Sequence, residues 1–231
     1  MKIAFISDIH GNYDALKAVF KEMKHLNVKK IYCLGDIVNY YYDPDKCIDL
    51  LIKNKTECIR GNHEEIFLEN LKNKKKRKLY AEKYGNSIYI NFKILKKKHI
   101  NFIKLLPKSL NLKIGSKKAL ITHGAPWKID FYFYKDVKDK WIKKIKQYKK
   151  EIFILGHTHH PMKLKLNNNK IILNPGSVGQ PRNKTKNACW LLVNEKSMKM
   201  KFMETKYDNK KLINKITKFD QGNKRLLKYF K

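Results

Sequence analysis

Arginine is scarce in this chain, although positive charge is not. Among 231 residues, 53 are Lys or Arg and 20 are Asp or Glu, which gives a formal net charge of +33. The arginines are Arg60, Arg77, Arg182 and Arg225, whereas lysine is spread along the whole chain. Because arginine makes most of the specific contacts to phosphates and base edges, its scarcity argues against nucleic-acid recognition as the main function. We expect polyanions to bind only non-specifically, and only at low salt.

Cysteine is also rare, and its spacing argues against a zinc-thiolate site. Cys33, Cys47, Cys58 and Cys189 form no C-x-x-C pair. Three of them lie in apolar runs typical of strands, and Cys47 lies on the apolar face of a predicted helix. We therefore expect four reduced thiols in the core, as in proteins of a reducing compartment.

Long apolar runs are missing. The chain has no stretch of about 18 uncharged apolar residues, the length that a membrane-spanning helix requires. The apolar run at residues 3–6 is too short for the apolar region of a signal peptide. We expect a cytoplasmic protein with no membrane association, and the sequence leaves open whether it forms a homo-oligomer.

The order of the apolar segments predicts an α/β fold. Short apolar runs at residues 3–6, 31–34 and 57–59 predict buried strands, and an amphipathic helix is predicted after each of the first two. Asn12 is expected to cap the first helix, and Asp43-Pro44 to begin the second. The resulting β-α-β-α-β order implies parallel strands with right-handed crossovers.

The remaining residues are predicted to complete a single domain over 1–231. Residues 64–106 should be mainly helical and form an insertion beside the site, and residues 208–231 should form one C-terminal helix. Further strands are predicted at 119–122 and 151–155, with an amphipathic helix between them. Strands at 162–166, 170–173, 188–193 and 198–203 should be antiparallel, with a hairpin turn at 167–169. The roles of the Lys-rich segment 72–78 and of the C-terminal helix remain open.

Polar residues with metal-ligand chemistry follow five of the predicted strands. Seven side chains could ligate metal: Asp8, His10, Asp36, Asn62, His123, His157 and His159. Because loops at the carboxyl ends of strands in an α/β sheet converge, these distant residues can meet at one site. One ion needs fewer than seven donors, whereas two ions that share one carboxylate would use them all. In extended backbone, side chains two residues apart point to the same side, so each D-x-H or H-x-H pair should face one metal cluster.

The donor types indicate the metal and the reaction. A mixture of carboxylate, amide and imidazole ligands suits transition metals better than calcium or magnesium. We expect two divalent ions, with Mn first and Fe, Zn, Ni or Co as alternatives. Two-metal sites specialise in in-line attack at phosphorus, so the chain is predicted to be a hydrolase of phosphoesters.

Taken together, the five clusters resemble the signature of the calcineurin-like metallophosphoesterases. That signature is D-x-H, then G-D, G-N-H-[ED], H and G-H-x-H, and every part is present in this order. The resemblance extends over residues 1–204. Residues 174–182, N-P-G-S-V-G-Q-P-R, are similar to a segment of the small prokaryotic phosphodiesterase branch. The resemblance implies a four-layer α-β-β-α sandwich of two mixed sheets.

The resemblance also implies roles for individual residues. One metal would be held by Asp8, His10, Asp36 and His159, and the other by Asp36, Asn62, His123 and His157. A hydroxide bridging the two metals would attack a phosphodiester. His63 would protonate the leaving oxygen or stabilise charge on the phosphoryl group.

The sequence departs from its relatives after Gly35-Asp36. Phosphoprotein phosphatases and diadenosine tetraphosphatases carry an arginine there that clamps phosphate, and this chain does not. Asn39, Tyr40 and Arg182 are the candidates for contact with a small phosphoester substrate. Tyr40 would offer a stacking surface or simply pack as a turn residue, and Arg182 would contact phosphate or form a structural ion pair.

Other functions remain as alternatives. Within enzymes, these are a phosphomonoesterase and a nucleotide pyrophosphohydrolase. Outside enzymes, they are a scaffold that has lost the chemistry and a basic nucleic-acid-binding protein. A scaffold would lack some metal ligands, and none is missing here.

Overall fold

The apolar runs form strands close to where the sequence predicts them. The structure is a computed structural model that describes residues 1–167 and 169–230. Its strands are β1 (Lys2–Ile6), β2 (Lys30–Cys33), β3 (Glu57–Cys58), β4 (Ser109–Ile114), β5 (Lys117–Thr122), β6 (Ile152–Leu155), β7 (Met162–Lys165), β8 (Ile171–Asn174), β9 (Ala188–Asn194) and β10 (Lys199–Thr205). The predicted hairpin turn at 167–169 includes Asn168, which lies outside the described residues.

These strands pair into two mixed sheets. In the first sheet, with the order β10-β9-β1-β2-β3, β1 is parallel to β2 and β2 to β3, as predicted. Strand β9 is antiparallel to both β1 and β10. In the second sheet, with the order β4-β5-β6-β8-β7, the three central strands are parallel and the two outer strands are antiparallel to their neighbours. The carboxyl ends of β1, β2, β3, β5 and β6 are the places where the candidate ligands follow.

Helices flank the two sheets. They are α1 (Tyr13–His25), α2 (Pro44–Lys53), α3 (Asn62–Lys72), α4 (Lys74–Tyr84), α5 (Ser87–Ile94), α6 (Lys97–Leu105), α7 (Asp139–Lys146), α8 (Lys210–Asp220) and α9 (Lys224–Leu227). The Asn12 side chain caps α1 by accepting a hydrogen bond from the Ala15 N–H at 3.2 Å, as predicted. Segment 64–106 is mainly helical, also as predicted, because α3 to α6 account for most of it.

The apolar core has layers that match the sheets. Side chains from both sheets, such as Phe5, Leu34 and Ile154, fill the space between the two sheets. The opposite face of the first sheet packs on α1 and α2, and that of the second sheet packs on α7. The layers therefore run helix, sheet, sheet, helix, which confirms the predicted four-layer sandwich.

The fold differs from the prediction at three places. Strand β8, which was predicted to be antiparallel, is antiparallel to β7 but parallel to β6. The single helix predicted over 208–231 is instead two helices, because Gln221 (φ 49°) and Gly222 (φ 71°) adopt left-handed backbone and end α8. Lys231 lies outside the described residues. Strand β4 was not predicted, although it pairs along its whole length with β5.

All four cysteines are buried and unpaired, as expected for reduced core thiols.

Among the described residues, no helix is both long and apolar enough to cross a membrane.

Candidate metal centre

The sheets bring the candidate ligands together at one edge of the sandwich. Asp8 and His10 follow β1, Asp36 follows β2, and Asn62 begins α3 shortly after β3. From the second sheet, His123 follows β5, and His157 and His159 follow β6. Because all these strands present their carboxyl ends at the same edge, residues about 150 positions apart come into contact: the His157 N–H donates to Asp8 Oδ2 at 3.1 Å.

The loops that carry the ligands are not extended. Five candidate ligands have left-handed backbone: Asp8 (φ 55°), His10 (φ 50°), Asp36 (φ 53°), His157 (φ 66°) and His159 (φ 63°). The prediction of extended backbone at the two pairs is therefore wrong. Such conformations cost free energy in residues other than glycine and are typical of functional sites, where the surrounding structure holds them in place.

The potential ligands form two groups, and a third group of His10, Asp36 and His63 shares one residue with each of them. Asp8, His10 and His159 each offer one donor atom, and these atoms lie within 4.8 Å of one another. Asp36, His123 and His157 form a second such group. Asn62 adjoins the second group, since its Oδ1 lies 3.0 Å from His123 Nε2. The two histidines of the H-x-H pair thus enter different groups, which the extended-backbone argument did not foresee.

Asp36 belongs to the second group and also lies close to the first. Its Oδ2 is 3.1 Å from His123 Nε2 and 3.9 Å from His10 Nε2. Its Oδ1 accepts a hydrogen bond from the His63 N–H at 2.8 Å, which fixes the carboxylate against the start of α3. A side chain at Gly61 would overlap this carboxylate, so only glycine fits there. One oxygen of Asp36 is therefore within reach of ions bound to either group.

The hydrogen bonds of the histidine rings fit a site for cations. The Nδ1 atoms of His10, His123 and His159 face backbone carbonyls of Val38, Leu34 and Gln180 at 3.4, 2.7 and 2.9 Å. A carbonyl only accepts, so each neutral ring carries its proton on Nδ1 and leaves a lone pair on Nε2.

On His10 and His159, these lone pairs have no donor to satisfy them. His10 Nε2 and His159 Nε2 lie 3.2 Å apart and face each other. His157 Nε2 is buried and has no hydrogen-bond partner among the described residues. Buried acceptors without donors are costly, and divalent cations among these nitrogens would satisfy them. The donor set thus fits the metal ions that the sequence predicts.

The electrostatics of the site keep most of the candidate ligands in the protonation state that binds a cation. Burial lowers the pKa of His10 well below its usual value and that of His157 to about 4, so both rings are neutral. Burial alone would raise the pKa of Asp8 and Asp36, but the surrounding histidines lower both pKa values well below the usual range. His123 is the exception, because the carboxylates of Asp36 and Asp8 overcome the effect of burial and raise its pKa to about 10.

Glu64 holds the loop that carries Asp36. Its fully buried carboxylate accepts hydrogen bonds from the N–H groups of Asp36 (2.8 Å), Ile37 (2.7 Å), Val38 (3.1 Å) and Gly61 (2.7 Å). The sequence pattern includes this residue but gave it no role. Burial and the charge of Asp36 raise the pKa of Glu64 to about 7, while the N–H donors act in the opposite direction.

His63 lies beside the donor groups. One ring nitrogen is within 4.8 Å of donor atoms of Asp36 and His10. Its Nδ1 is 3.0 Å from the hydroxyl of Tyr80 on α4. The ring is enclosed by aromatic neighbours, since the centroids of Tyr40 and Tyr84 lie 4.8 and 6.1 Å from its own.

The three candidates for substrate contact lie in different places. Asn39 is fully buried, and its Nδ2 donates to the His63 backbone carbonyl at 3.0 Å. Tyr40 has left-handed backbone (φ 64°) and packs on the His10 ring, with centroids 4.7 Å apart. Arg182 Nη1 donates to the Thr158 carbonyl at 3.3 Å. The Asn39 side chain thus holds the backbone of His63 in place.

Two tyrosines that were not among the predicted site residues also line the site. The Tyr132 ring packs on His157 with centroids 4.1 Å apart and is 51% exposed. Tyr84 and Tyr132 line a crevice of about 420 Å³ that reaches Asn62 and His157. The aromatic run at residues 131–134 was the signal in the sequence, since exposed aromatic side chains need a reason. No comparable signal marks Tyr84, which lies in a polar stretch at the end of α4.

The chain is similar to known proteins over most of its length. The sequence model of the calcineurin-like phosphoesterase superfamily domain matches residues 1–197. An uncharacterized protein of Methanocaldococcus jannaschii is 34% identical over 233 residues, which cover 94% of this chain and 92% of that protein.

Two solved structures share the fold. The crystal structure of a hypothetical protein from Pyrococcus horikoshii has a TM-score of 0.80 and 22% identity, and the match covers 98% of this chain and 96% of that one. A metallophosphoesterase from Sphaerobacter thermophilus has a TM-score of 0.79 and 22% identity, with coverage of 99% and 100%.

Proposed function

Since the chain belongs to the calcineurin-like phosphoesterase superfamily, we propose that it hydrolyses phosphodiesters with the help of two divalent cations. The observation that carries the proposal is the position of Asp36 Oδ2, 3.1 Å from His123 Nε2 and 3.9 Å from His10 Nε2. A carboxylate between two buried donor groups can bind an ion in each and offset their mutual repulsion.

The residues divide into two ligand sets. Asp8, His10, His159 and Asp36 would hold one ion, and His123, His157, Asn62 and Asp36 would hold the other. When bound, the pair supplies Lewis-acid chemistry, which activates water and polarises the phosphoryl oxygens. Manganese is the metal that we propose first, because carboxylate, amide and imidazole ligands all suit it.

His63 is proposed as the proton donor to the leaving oxygen. Its ring lies beside Asp36 and His10, and its hydrogen bond is to the Tyr80 hydroxyl. Burial lowers the pKa of His63, so a proton on its ring is readily given up. The backbone of His63 is fixed on both sides, by Asp36 at its N–H and by Asn39 at its carbonyl.

The surroundings of the site favour a diester over a monoester. A monoester carries two negative charges and needs a cationic clamp, which the loop after Asp36 lacks. Arg182 faces the Thr158 carbonyl and the Tyr229 ring, with 5.8 Å from its guanidinium carbon to the ring centroid. The crevice between Tyr84 and Tyr132 offers room for the second ester group of a diester. Tyr40 and Arg182 are the other side chains that we propose to contact the substrate.

The substrate class is tested with matched compounds. Manganese-loaded protein is assayed on a diester and a monoester that share one leaving group. We expect a larger kcat/KM for the diester. A larger value for the monoester would replace the proposal with a phosphomonoesterase, and preferential cleavage of a dinucleotide pyrophosphate would favour a nucleotide pyrophosphohydrolase.

The role of His63 is tested by substitution. We expect His63→Ala to keep two metal ions per chain and to lose roughly 10²–10⁴-fold in kcat, the usual contribution of an acid–base group. Loss of a metal ion in this variant would show that His63 is a ligand instead. His160→Ala is the matched control, because His160 is exposed, adjoins His159 in the sequence and belongs to neither donor group.

A further inference from the structure

The Tyr80 hydroxyl is a hydrogen-bond partner of the His63 ring. Tyr80 Oη lies 3.0 Å from His63 Nδ1, and Tyr80 is 6% exposed. Among the described residues, this hydroxyl makes no other hydrogen bond, and neither does the His63 ring. The other ring nitrogen, Nε2, is thereby left for the substrate.

The fold fixes where this hydroxyl lies. Tyr80 is in the middle of α4, and its ring packs on that of Tyr84 with centroids 4.6 Å apart. One turn earlier, Arg77 donates to the Asn70 carbonyl of α3 at 2.9 Å and stacks over the Phe92 ring of α5 at 3.9 Å. Helix α4 is therefore held by both of its neighbours, so the Tyr80 hydroxyl has a fixed position relative to His63.

A tyrosine hydroxyl suits a ring that gives up and regains a proton. It can donate to Nδ1 when that nitrogen carries no proton and accept from Nδ1–H when it carries one. A carboxylate in the same place could only accept, and its charge would hold the proton on the ring. The hydroxyl itself stays protonated in this buried position, so Tyr80 orients the ring without relaying a proton.

We propose that Tyr80 is a positioning residue, which holds the His63 imidazole so that Nε2 faces the leaving oxygen. The proposal rests on the proposed function, in which the bond from phosphorus to the leaving oxygen breaks and the proton of His63 Nε2 passes to that oxygen. The negative charge on the leaving oxygen is neutralised, and His63 becomes neutral. The proton left on the neutral ring is the one on Nδ1, and the Tyr80 hydroxyl accepts the hydrogen bond from Nδ1–H before and after the transfer, so the ring keeps its orientation.

The kinetic test is Tyr80→Phe, which removes one oxygen and keeps the ring. For a diester with an alkyl leaving group, we expect kcat to fall roughly 10- to 100-fold with KM unchanged, the usual effect of losing a partner that orients an active-site histidine. A nitrophenolate leaves without protonation, so its diester should show little change. In a His63→Ala background, Tyr80→Phe should have no further effect.

The matched control is Tyr42→Phe. Tyr42 is similarly buried, at 3% exposure, and its hydroxyl also makes a single side-chain hydrogen bond, to Asp220, on the side of the C-terminal helices. The Tyr42→Phe substitution should leave unchanged the ratio of the kcat values for the alkyl and nitrophenyl diesters. An equal loss on both leaving groups with Tyr80→Phe, or a loss that persists without His63, would overturn the proposal by showing a merely structural role.

A spectroscopic readout separates this proposal from the proposed function. In zinc-loaded protein with ¹⁵N-labelled histidine, His63 should show a single ring tautomer that becomes averaged in Tyr80→Phe, while two metal ions per chain are retained. An unchanged His63 tautomer would contradict the role of Tyr80 even if the wild-type protein proved inactive. Absence of phosphodiester hydrolysis with an altered tautomer would instead contradict the proposed function alone.

Discussion

At the scale of single residues, the chemistry of the site depends on the partner of each ligand. The sequence motifs predict which side chains meet, because their types and order are specific. They do not predict the carbonyls of Leu34, Val38 and Gln180 that fix the ring tautomers, because every residue has a carbonyl. They also miss Tyr80, since its contact with His63 depends on how α3 and α4 pack.

The raised pKa of His123 predicts that metal binding depends on pH. Its pKa in the metal-free protein is raised to about 10, so the ring is charged at neutral pH, whereas His157, with a pKa lowered to about 4, is neutral. A cation binds only the neutral ring, so binding must release the proton of His123 and none from His157. The affinity for the ion held by His123 and His157 should therefore rise about tenfold per pH unit around neutrality.

Titration calorimetry checks this prediction. Manganese binding is measured near pH 7 in buffers with different ionisation enthalpies, and the buffer dependence of the heat gives the number of protons released. We expect about one proton to be released when one protein molecule binds both ions. An affinity that is independent of pH, with no proton released, would show that His123 is neutral before metal binds.

At the scale of secondary-structure elements, the strands were more predictable than the helix ends. Apolar runs identified β1, β2, β5 and β6, which carry most ligands on their carboxyl ends. Strand β4 is half exposed, with Leu110, Leu112 and Ile114 alternating with polar residues, and a search for continuous apolar runs overlooks that pattern. The end of α8 depends on left-handed backbone, for which Gly222 was the sole local signal.

The C-terminal helices are predicted to be anchored through Asp220. Its carboxylate accepts hydrogen bonds from the Tyr42 hydroxyl and from the Asn86 N–H, the latter at 2.6 Å. Asp220→Ala leaves these donors without their partner, so the free energy of unfolding should fall by about 1–3 kcal/mol. Urea unfolding followed by fluorescence measures the change. Asp136→Ala, at an exposed carboxylate, should change it by less than about 0.5 kcal/mol, and equal effects of the two substitutions would rule out the anchor.

At the scale of the whole molecule, the sandwich explains why distant motifs form one site. The five parallel strands that carry the ligands belong to two sheets, and the apolar layer between the sheets fixes one against the other. The family resemblance predicted this arrangement. Composition and periodicity alone predicted a parallel α/β sheet followed by antiparallel strands, and they did not divide the strands between two sheets, because nothing in the pattern of a strand tells which sheet it joins.

The net charge of +33 leads to a prediction about polyanions. Lysines spread over the whole chain should retain nucleic acid at low salt through release of counterions, and this binding should fall steeply between low and physiological salt. Filter binding with unrelated DNA and RNA sequences should show no preference among them. A sequence-selective complex that survives physiological salt would make a nuclease or a nucleic-acid-binding protein the leading interpretation.

The central claim is that one carboxylate, Asp36, joins two metal sites. The direct measurement is anomalous diffraction from crystals of the protein saturated with manganese. We predict two peaks roughly 3.5–4 Å apart, the usual two-metal spacing, one beside His10 and His159 and the other beside His123 and His157, with Asp36 between them. A single peak in the metal-saturated protein, or two peaks with Asp36 in contact with only one, would contradict the account.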